Sequence, residues 1–261
     1  MGRRPVTVTW EAAGATDVGR VRKGNEDTFF VDPRRGVFLV ADGMGGHAAG
    51  EIASALAADV VGGALVCGVD DELEPEMLAE SLRRSLHAAH ERIIAHTQQD
   101  PSTDGMGTTM TAVVVCGDGT YRMGHVGDSR MYLMRGGELR QVSHDHTWVQ
   151  REVDEGRLTE QGARRHRLSH ILTRALGADS ADKPDIESGR FLPGDLILLC
   201  SDGLTGMITD KMIAGILRED APLPDLVARL IAEANARGGR DNITAVLIKI
   251  LDHTEAQRHG D

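Results

Sequence analysis

The feature that most constrains this chain is a short apolar run ending in a carboxylate. Val37-Phe38-Leu39-Val40-Ala41 contains no polar residue and stops at Asp42-Gly43. A run this short between turn signals reads as a buried strand. A glycine-rich turn through Met44, Gly45, Gly46 and His47 follows, then an alanine-rich helical pattern. The construction recurs far along the chain, where Leu196-Ile197-Leu198-Leu199-Cys200-Ser201 leads into Asp202-Gly203. A sheet fixes such a carboxylate at the end of a buried strand, yet its oxygens reach the rim. Two strands built this way predict one site assembled from distant parts of the sequence.

Around these anchors, residues 6–10, 28–31, 109–116, 121–126, 131–134, 139–142, 186–191 and 243–251 are β-branched or alternating and predict strands. Pro33-Arg34-Arg35-Gly36 and Gly117-Asp118-Gly119 read as hairpin turns. Helical periodicity marks 48–65, with Ile52, Leu56, Val60 and Ala64 on one face. Gly62-Gly63 weakens it near the end. A second helix over 74–98 carries Leu78, Leu82, Leu86, Ala89 and Ile93, and Glu72, Glu74 and Glu76 suit its positive end. Helices are also expected over 211–217 and 223–236. Residues 143–178, rich in His, Arg and Glu, read as an insertion of short helices beside the site. The polar tail 252–261 is expected to fray. Strands come in blocks and helices in pairs, which favours an α+β layered sandwich over a doubly wound parallel sheet. The 261 residues suit a single domain. Aromatics are only 3%, so Leu, Ile, Val, Ala and Met must fill its core.

Bulk chemistry narrows the function. A net charge of −11 disfavours nucleic-acid binding and is compatible with a carboxylate-lined cation site. Cys67, Cys116 and Cys200 lack C-x-x-C spacing, which argues against a disulfide framework or structural zinc and for a reducing, cytoplasmic setting. No signal peptide is evident, and no apolar stretch approaches membrane-spanning length.

Four aspartates sit at predicted strand ends beside Gly or Asn: Asp42-Gly43, Gly127-Asp128, Asp202-Gly203 and Asp241-Asn242. Each pair alone most often marks only a turn. Carboxylates converging from several strands need a cation to offset their repulsion, and hard oxygen donors suit Mg²⁺ or Mn²⁺. Arg22, four residues ahead of Glu26-Asp27, could hold an anion through its planar fork. Three rival signals carry less. His144-Asp145-His146 offers softer nitrogen ligands and reads as structural or flap surface. Cys116-x5-Arg122 has the spacing of cysteine-dependent phosphatases, but a hairpin turn occupies the interval. The Gly45-Gly46 loop lacks a Gly-Lys-Ser/Thr ending. Cys67 and Cys200 read as small core residues.

In order along the chain stand Arg22-x-x-x-Glu26-Asp27, Ala41-Asp42-Gly43-Met44-Gly45-Gly46, Met106-Gly107-Thr108-Thr109, Gly127-Asp128-Ser129-Arg130, Cys200-Ser201-Asp202-Gly203 and Arg240-Asp241-Asn242. The set resembles the type 2C metal-dependent protein serine/threonine phosphatases (the PPM family) over residues 12–250, with Met44 marking the bacterial form. The resemblance implies a four-layer α-β-β-α sandwich with two Mn²⁺ or Mg²⁺ ions at one edge. Asp42 would bridge the ions, the Gly43 carbonyl would ligate one, and Asp202 and Asp241 would serve the other. Asp128 would hold a third, weaker ion. Glu26 and Asp27 would act through water, and Arg22 would hold the substrate phosphate. Ser129 and Arg130 would shape their turn. The implied reaction is direct hydrolysis of phosphoserine and phosphothreonine on proteins by a metal-bridging hydroxide, in a monomer that opposes a eukaryotic-like Ser/Thr kinase. Met44 leaves the general acid unassigned. Gly206 replaces a frequent acidic residue, and His170 is expected near the third ion. The competing readings are a phosphoprotein-binding pseudophosphatase and a hydrolase of smaller phosphoesters.

Overall fold

In this computed structural model the described residues are 7–45, 49–68, 75–178 and 183–252. Val6, Gly46, His47, Glu72, Glu74 and the tail beyond residue 252 lie outside them. Along the chain run β1 (Val8–Asp17), β2 (Asp27–Asp32), β3 (Val37–Met44), α1 (Ala49–Gly68), α2 (Pro75–Gln99), β4 (Gly107–Thr108), β5 (Met110–Val115), β6 (Thr120–Val126), β7 (Arg130–Arg135) and β8 (Glu138–Gln141). Then come α3 (Trp148–Asp154), α4 (Glu160–Ala163), β9 (Asp185–Arg190), β10 (Leu196–Cys200), α5 (Asp202–Thr205), α6 (Asp210–Leu217), α7 (Leu223–Ala236) and β11 (Ile243–Asp252).

The strands form two antiparallel sheets. One has the order β1-β11-β10-β7-β8; the other runs β2-β3-β5-β6-β9, with β4 paired to β3. Strand periodicity sorts each apolar run between two layers. Val37, Leu39 and Ala41 face α1 and α2, whereas Phe38 and Val40 meet Ile197, Leu199, Val246 and Ile248 between the sheets. Leu198, Cys200, Ala245 and Leu247 turn outward onto α6 and α7. A strand buried on both faces has no polar face, which is why β3 and β10 read as unbroken apolar runs. The result is the α+β, four-layer α-β-β-α sandwich.

Local expectations needed five corrections. The buried stripe of α1 is Ala53, Ala57, Val61 and Leu65, all 0% exposed, one position on from the predicted face. Alanines let the helix approach the sheet closely, while Ile52, Leu56 and Val60 flank the contact. The helix continues through Gly62-Gly63 to Gly68, and Gly62 packs under the Phe30 ring. It is also long and apolar enough to cross a membrane by length and composition, contrary to the expectation that no stretch is; here its small-residue face packs on β3 and α2. Cys67 is exposed rather than in the core, while Cys200 is buried. β1 runs to Asp17 because it pairs residue for residue with β11, from Val8↔Asp252 to Asp17↔Ile243. Tertiary pairing there overrides the weak strand preference of Ala and Gly.

Candidate active site

The expected site residues gather at one rim of the sandwich, each delivered by a different element. Asp27 opens β2 and lies directly across from Asp42 on β3. The strand end at Asp42 is gripped through its backbone. Its N–H donates to Thr109 Oγ1 at 3.0 Å, and its carbonyl accepts from Thr109 N–H at 2.9 Å and from Thr108 Oγ1 at 2.9 Å. Asp202 begins α5, and its carboxyl shares a hydrogen bond with that of Asp42. Burial first, then Asp27, Asp202, Asp128 and Asp241 in turn, push the Asp42 carboxyl well above the usual range. Asp128 and Asp202 are also raised, again chiefly by burial. Carboxyls that inhibit one another's ionisation in this way form a trap for cations.

Asp27 is the most enclosed member. Its Oδ2 accepts from Ser201 Oγ at 2.7 Å and Thr244 Oγ1 at 2.6 Å, while its Oδ1 is buried without a hydrogen-bond partner. Burial raises its pKa to about 7. An orphaned buried oxygen and mutually repelling hard donors fit divalent ions of the Mg²⁺ or Mn²⁺ type. Asp241, however, turns toward Arg22. Its Oδ2 accepts from Arg22 Nη2 at 2.7 Å and its Oδ1 from the Asn242 N–H at 2.9 Å. Among the described residues no three acidic, His or Cys side chains close on one point. Arg22, with Glu26 Oε2 at 3.8 Å, is thus brought to the cluster already paired.

Glycines keep the rim compact. A Cβ on Gly43 would fall 2.0 Å from the Gly50 oxygen and 2.6 Å from the Glu26 oxygen. One on Gly203 would fall 1.8 Å from the Asn242 oxygen. Asp128 sits in the turn after Gly127, whose φ is +105°. That turn is locked by His146, whose Nδ1 accepts from Gly127 N–H at 3.1 Å. Asp145 takes the Arg130 guanidinium in a bidentate pair at 2.6–3.0 Å. The His144-Asp145-His146 run therefore supports the turn, and Arg130 shapes it as expected. Asp128, Asp202, Gly206 and His170 line one cavity of about 600 Å³ between the 143–178 insertion and α5–α6.

Sequence alone places Asn242 in a motif and gives it no role. Its Nδ2 donates to the carbonyls of Val18 at 3.0 Å and Gly24 at 2.9 Å, and its Oδ1 accepts from Glu26 N–H at 2.8 Å. One buried amide thus fixes the loop that carries Arg22 and Glu26. Its place directly after Asp241 was the available signal; its long-range partners were not legible.

Helices outside two antiparallel sheets, with an aspartate cluster at one rim, form the α-β-β-α sandwich anticipated above. Comparison with known proteins makes it specific. The protein phosphatase 2C family pattern matches residues 20–251. The chain is 39% identical to the Mycobacterium tuberculosis serine/threonine protein phosphatase PstP over 97% of its length, and spans about half (47%) of that relative. It is 34% identical to the Listeria welshimeri serine/threonine phosphatase stp, covering 90% of this chain and 93% of that one. A crystal structure of the Mycobacterium tuberculosis phosphatase superposes with a TM-score of 0.84 at 38% identity, covering 94% of this chain and 100% of that one. A PstP catalytic domain in complex with two manganese ions gives 0.84 at 36% identity, with 94% and 100% covered. The chain belongs to the protein phosphatase 2C family, in its bacterial serine/threonine form.

Proposed function

We propose that the chain is a metal-dependent protein phosphatase that hydrolyses phosphoserine and phosphothreonine directly. The observation that carries this reading is that Asp27, Asp42, Asp128 and Asp202, raised chiefly by burial, gather at one rim with Asp241 and the Arg22 guanidinium it accepts from. Asp42 would bridge two Mn²⁺ or Mg²⁺ ions, with the Gly43 carbonyl on one and Asp202 and Asp241 on the other; Asp128 would hold a weaker third. When bound, these ions would activate water as the nucleophile and neutralise charge on the phosphoryl group. Arg22 would exchange Asp241 for a substrate phosphate, which its two parallel N–H groups match. Glu26, whose pKa burial raises, and Asp27 would hold protons on water around the ions. Residues 1–261 would act as one catalytic domain, a cytoplasmic monomer opposing a Ser/Thr kinase.

The test is turnover of p-nitrophenyl phosphate and a phosphothreonine peptide with Mn²⁺, with chelator, and in Asp202→Ala. Metal-dependent turnover lost in the variant is expected. Phosphopeptide binding without turnover would point to a pseudophosphatase instead, and full activity in Asp202→Ala would overturn the site.

A further inference from the structure

The rim of the carboxylate cluster carries positive charge that the cluster itself does not use. Residues 18–24 follow β1, and residues 237–242 join α7 to β11. They present Arg20, Arg22, Lys23, Arg237 and Arg240, all exposed, in a chain of net charge −11. Arg22 is committed to Asp241 and Glu26, and Arg237 to Glu233 at 2.9 Å. Arg20 leans electrostatically on Asp17. Lys23 and Arg240 have no hydrogen bond or ion pair among the described residues.

The two loops are built to stand together. Arg20 N–H donates to the Gly239 carbonyl at 2.7 Å. Asn235 Nδ2 donates to Asp17 Oδ1 at 3.0 Å, and Asn242 clamps the same loop from below. Gly19 and Gly239 adopt φ of +82° and +47°. A Cβ at either would lie 2.2 Å from the Asp241 oxygen or 2.4 Å from Asn235 Oδ1. Free cations on a backbone held this firmly need little ordering to meet an anion.

We propose that Lys23 and Arg240, supported by Arg20, form an anion subsite beside the phosphate position. The favoured substrates are then phosphopeptides with an acidic or second phosphorylated residue within about three positions of the scissile phosphate. The inference rests on the phosphatase reading above. Lys23 and Arg240 are chain neighbours of Arg22 and Asp241, so their Cα atoms lie about 3.8 Å from those residues along the chain. An extended peptide advances roughly 3.3–3.6 Å per residue, so a nearby anion comes within reach of these long side chains. Once a side-chain cation and the anion meet, the pair lies well inside the Debye length of about 8 Å. The acidic centre would otherwise repel such a peptide; the rim offsets that repulsion and steers its approach.

The experiment uses the full chain with Mn²⁺ and a neutral phosphothreonine peptide. One arm places Asp at each of the three positions on either side, and the other places a non-hydrolysable difluoromethylene phosphonate there. Anion-bearing peptides should show KM lowered roughly three- to tenfold at low salt, the advantage shrinking as salt rises. Lys23→Ala with Arg240→Ala should erase the advantage while leaving kcat and p-nitrophenyl phosphate turnover unchanged. Lys23→Glu with Arg240→Glu should reverse it. A gain in both arms assigns the subsite to negative charge in general; a gain in the phosphonate arm alone assigns it to phosphate. Equal KM across the series, or equal loss on neutral and acidic peptides, overturns the inference alone. No p-nitrophenyl phosphate turnover in the parent chain would overturn the phosphatase reading together with it.

Discussion

The two Asp-Gly strand ends look alike in sequence and are held in different ways. β3 continues as strand past its aspartate, with Asp42 across from Asp27 and Gly43 across from Thr108. β10 stops at Cys200, and Asp202 opens α5, its carbonyl accepting from Gly206 N–H at 2.6 Å. Asp42 is buried and faces the charges of four other aspartates, with Arg22 as a cation within electrostatic reach. Asp202 is eased first by its hydrogen bond with Asp42 and then by Arg22 and Arg130. A strand end gives rigidity and crowding; the carboxyl at the helix start has partial relief. Under the proposed function, Asp42 would be the position most dependent on a bound cation, as a bridge between two ions would be.

The largest effects should come from removing these carboxylates. Asp42→Asn and Asp202→Asn should each lower Mn²⁺-dependent turnover by about a thousandfold or more. They should differ in metal stoichiometry, measured by titration calorimetry: Asp42→Asn loses tight binding of both ions, and Asp202→Asn retains one. Equal stoichiometry in the two variants would remove the distinction between bridge and single-ion ligand.

The glycines behind each aspartate give the next effect. In Gly43→Ala the new methyl meets the Gly50 and Glu26 oxygens, and in Gly203→Ala the Asn242 oxygen. Both should destabilise by roughly 2–4 kcal/mol in urea unfolding, because backbone must move on either side. Gly203 is the sharper case. It lies within α5, where alanine would ordinarily stabilise by about 1 kcal/mol. A stabilised Gly203→Ala would show that the close approach to Asn242 is not enforced.

Much of this was readable in the sequence because it depends on local pattern. The buried strands at 37–41 and 196–200, the Gly117-Asp118-Gly119 turn and the Leu78, Leu82, Leu86, Ala89, Ile93 stripe of α2 each express one period or one turn chemistry. What was misread depends on partners far along the chain. The α1 stripe is set by alanines that fit closely against β3, while the bulkier residues that carry the apolar period lie on the adjacent face. β1 owes its length to β11, and α5 is too short to show a period. At the site, the aspartates were legible as strand-end carboxylates. The Asn242 clamp on Val18, Gly24 and Glu26 and the turn of Asp241 toward Arg22 join residues more than two hundred positions apart, and no spacing rule encodes them.

The last expected effect, and the one that tests the crowding itself, is the pH dependence from Asp27. Its pKa rises from an ordinary value near 4 to about 7, with burial as the largest cause. Between those values the folded chain holds a proton that the unfolded chain has released. Stability must therefore fall as pH rises from about 4 to about 7, and this contribution is flat above that. Urea unfolding in chelator across pH 4.5–8 should show the fall in the parent chain and a shallower one in Asp27→Asn. Mn²⁺ should lessen it, because a cation favours the ionised carboxylates. An unchanged slope in Asp27→Asn would exclude Asp27 as the proton's holder. If the slope instead disappeared in Asp42→Asn, the proton would belong to the hydrogen-bonded Asp42 and Asp202 carboxyls, and the strand end and helix start would titrate as one unit.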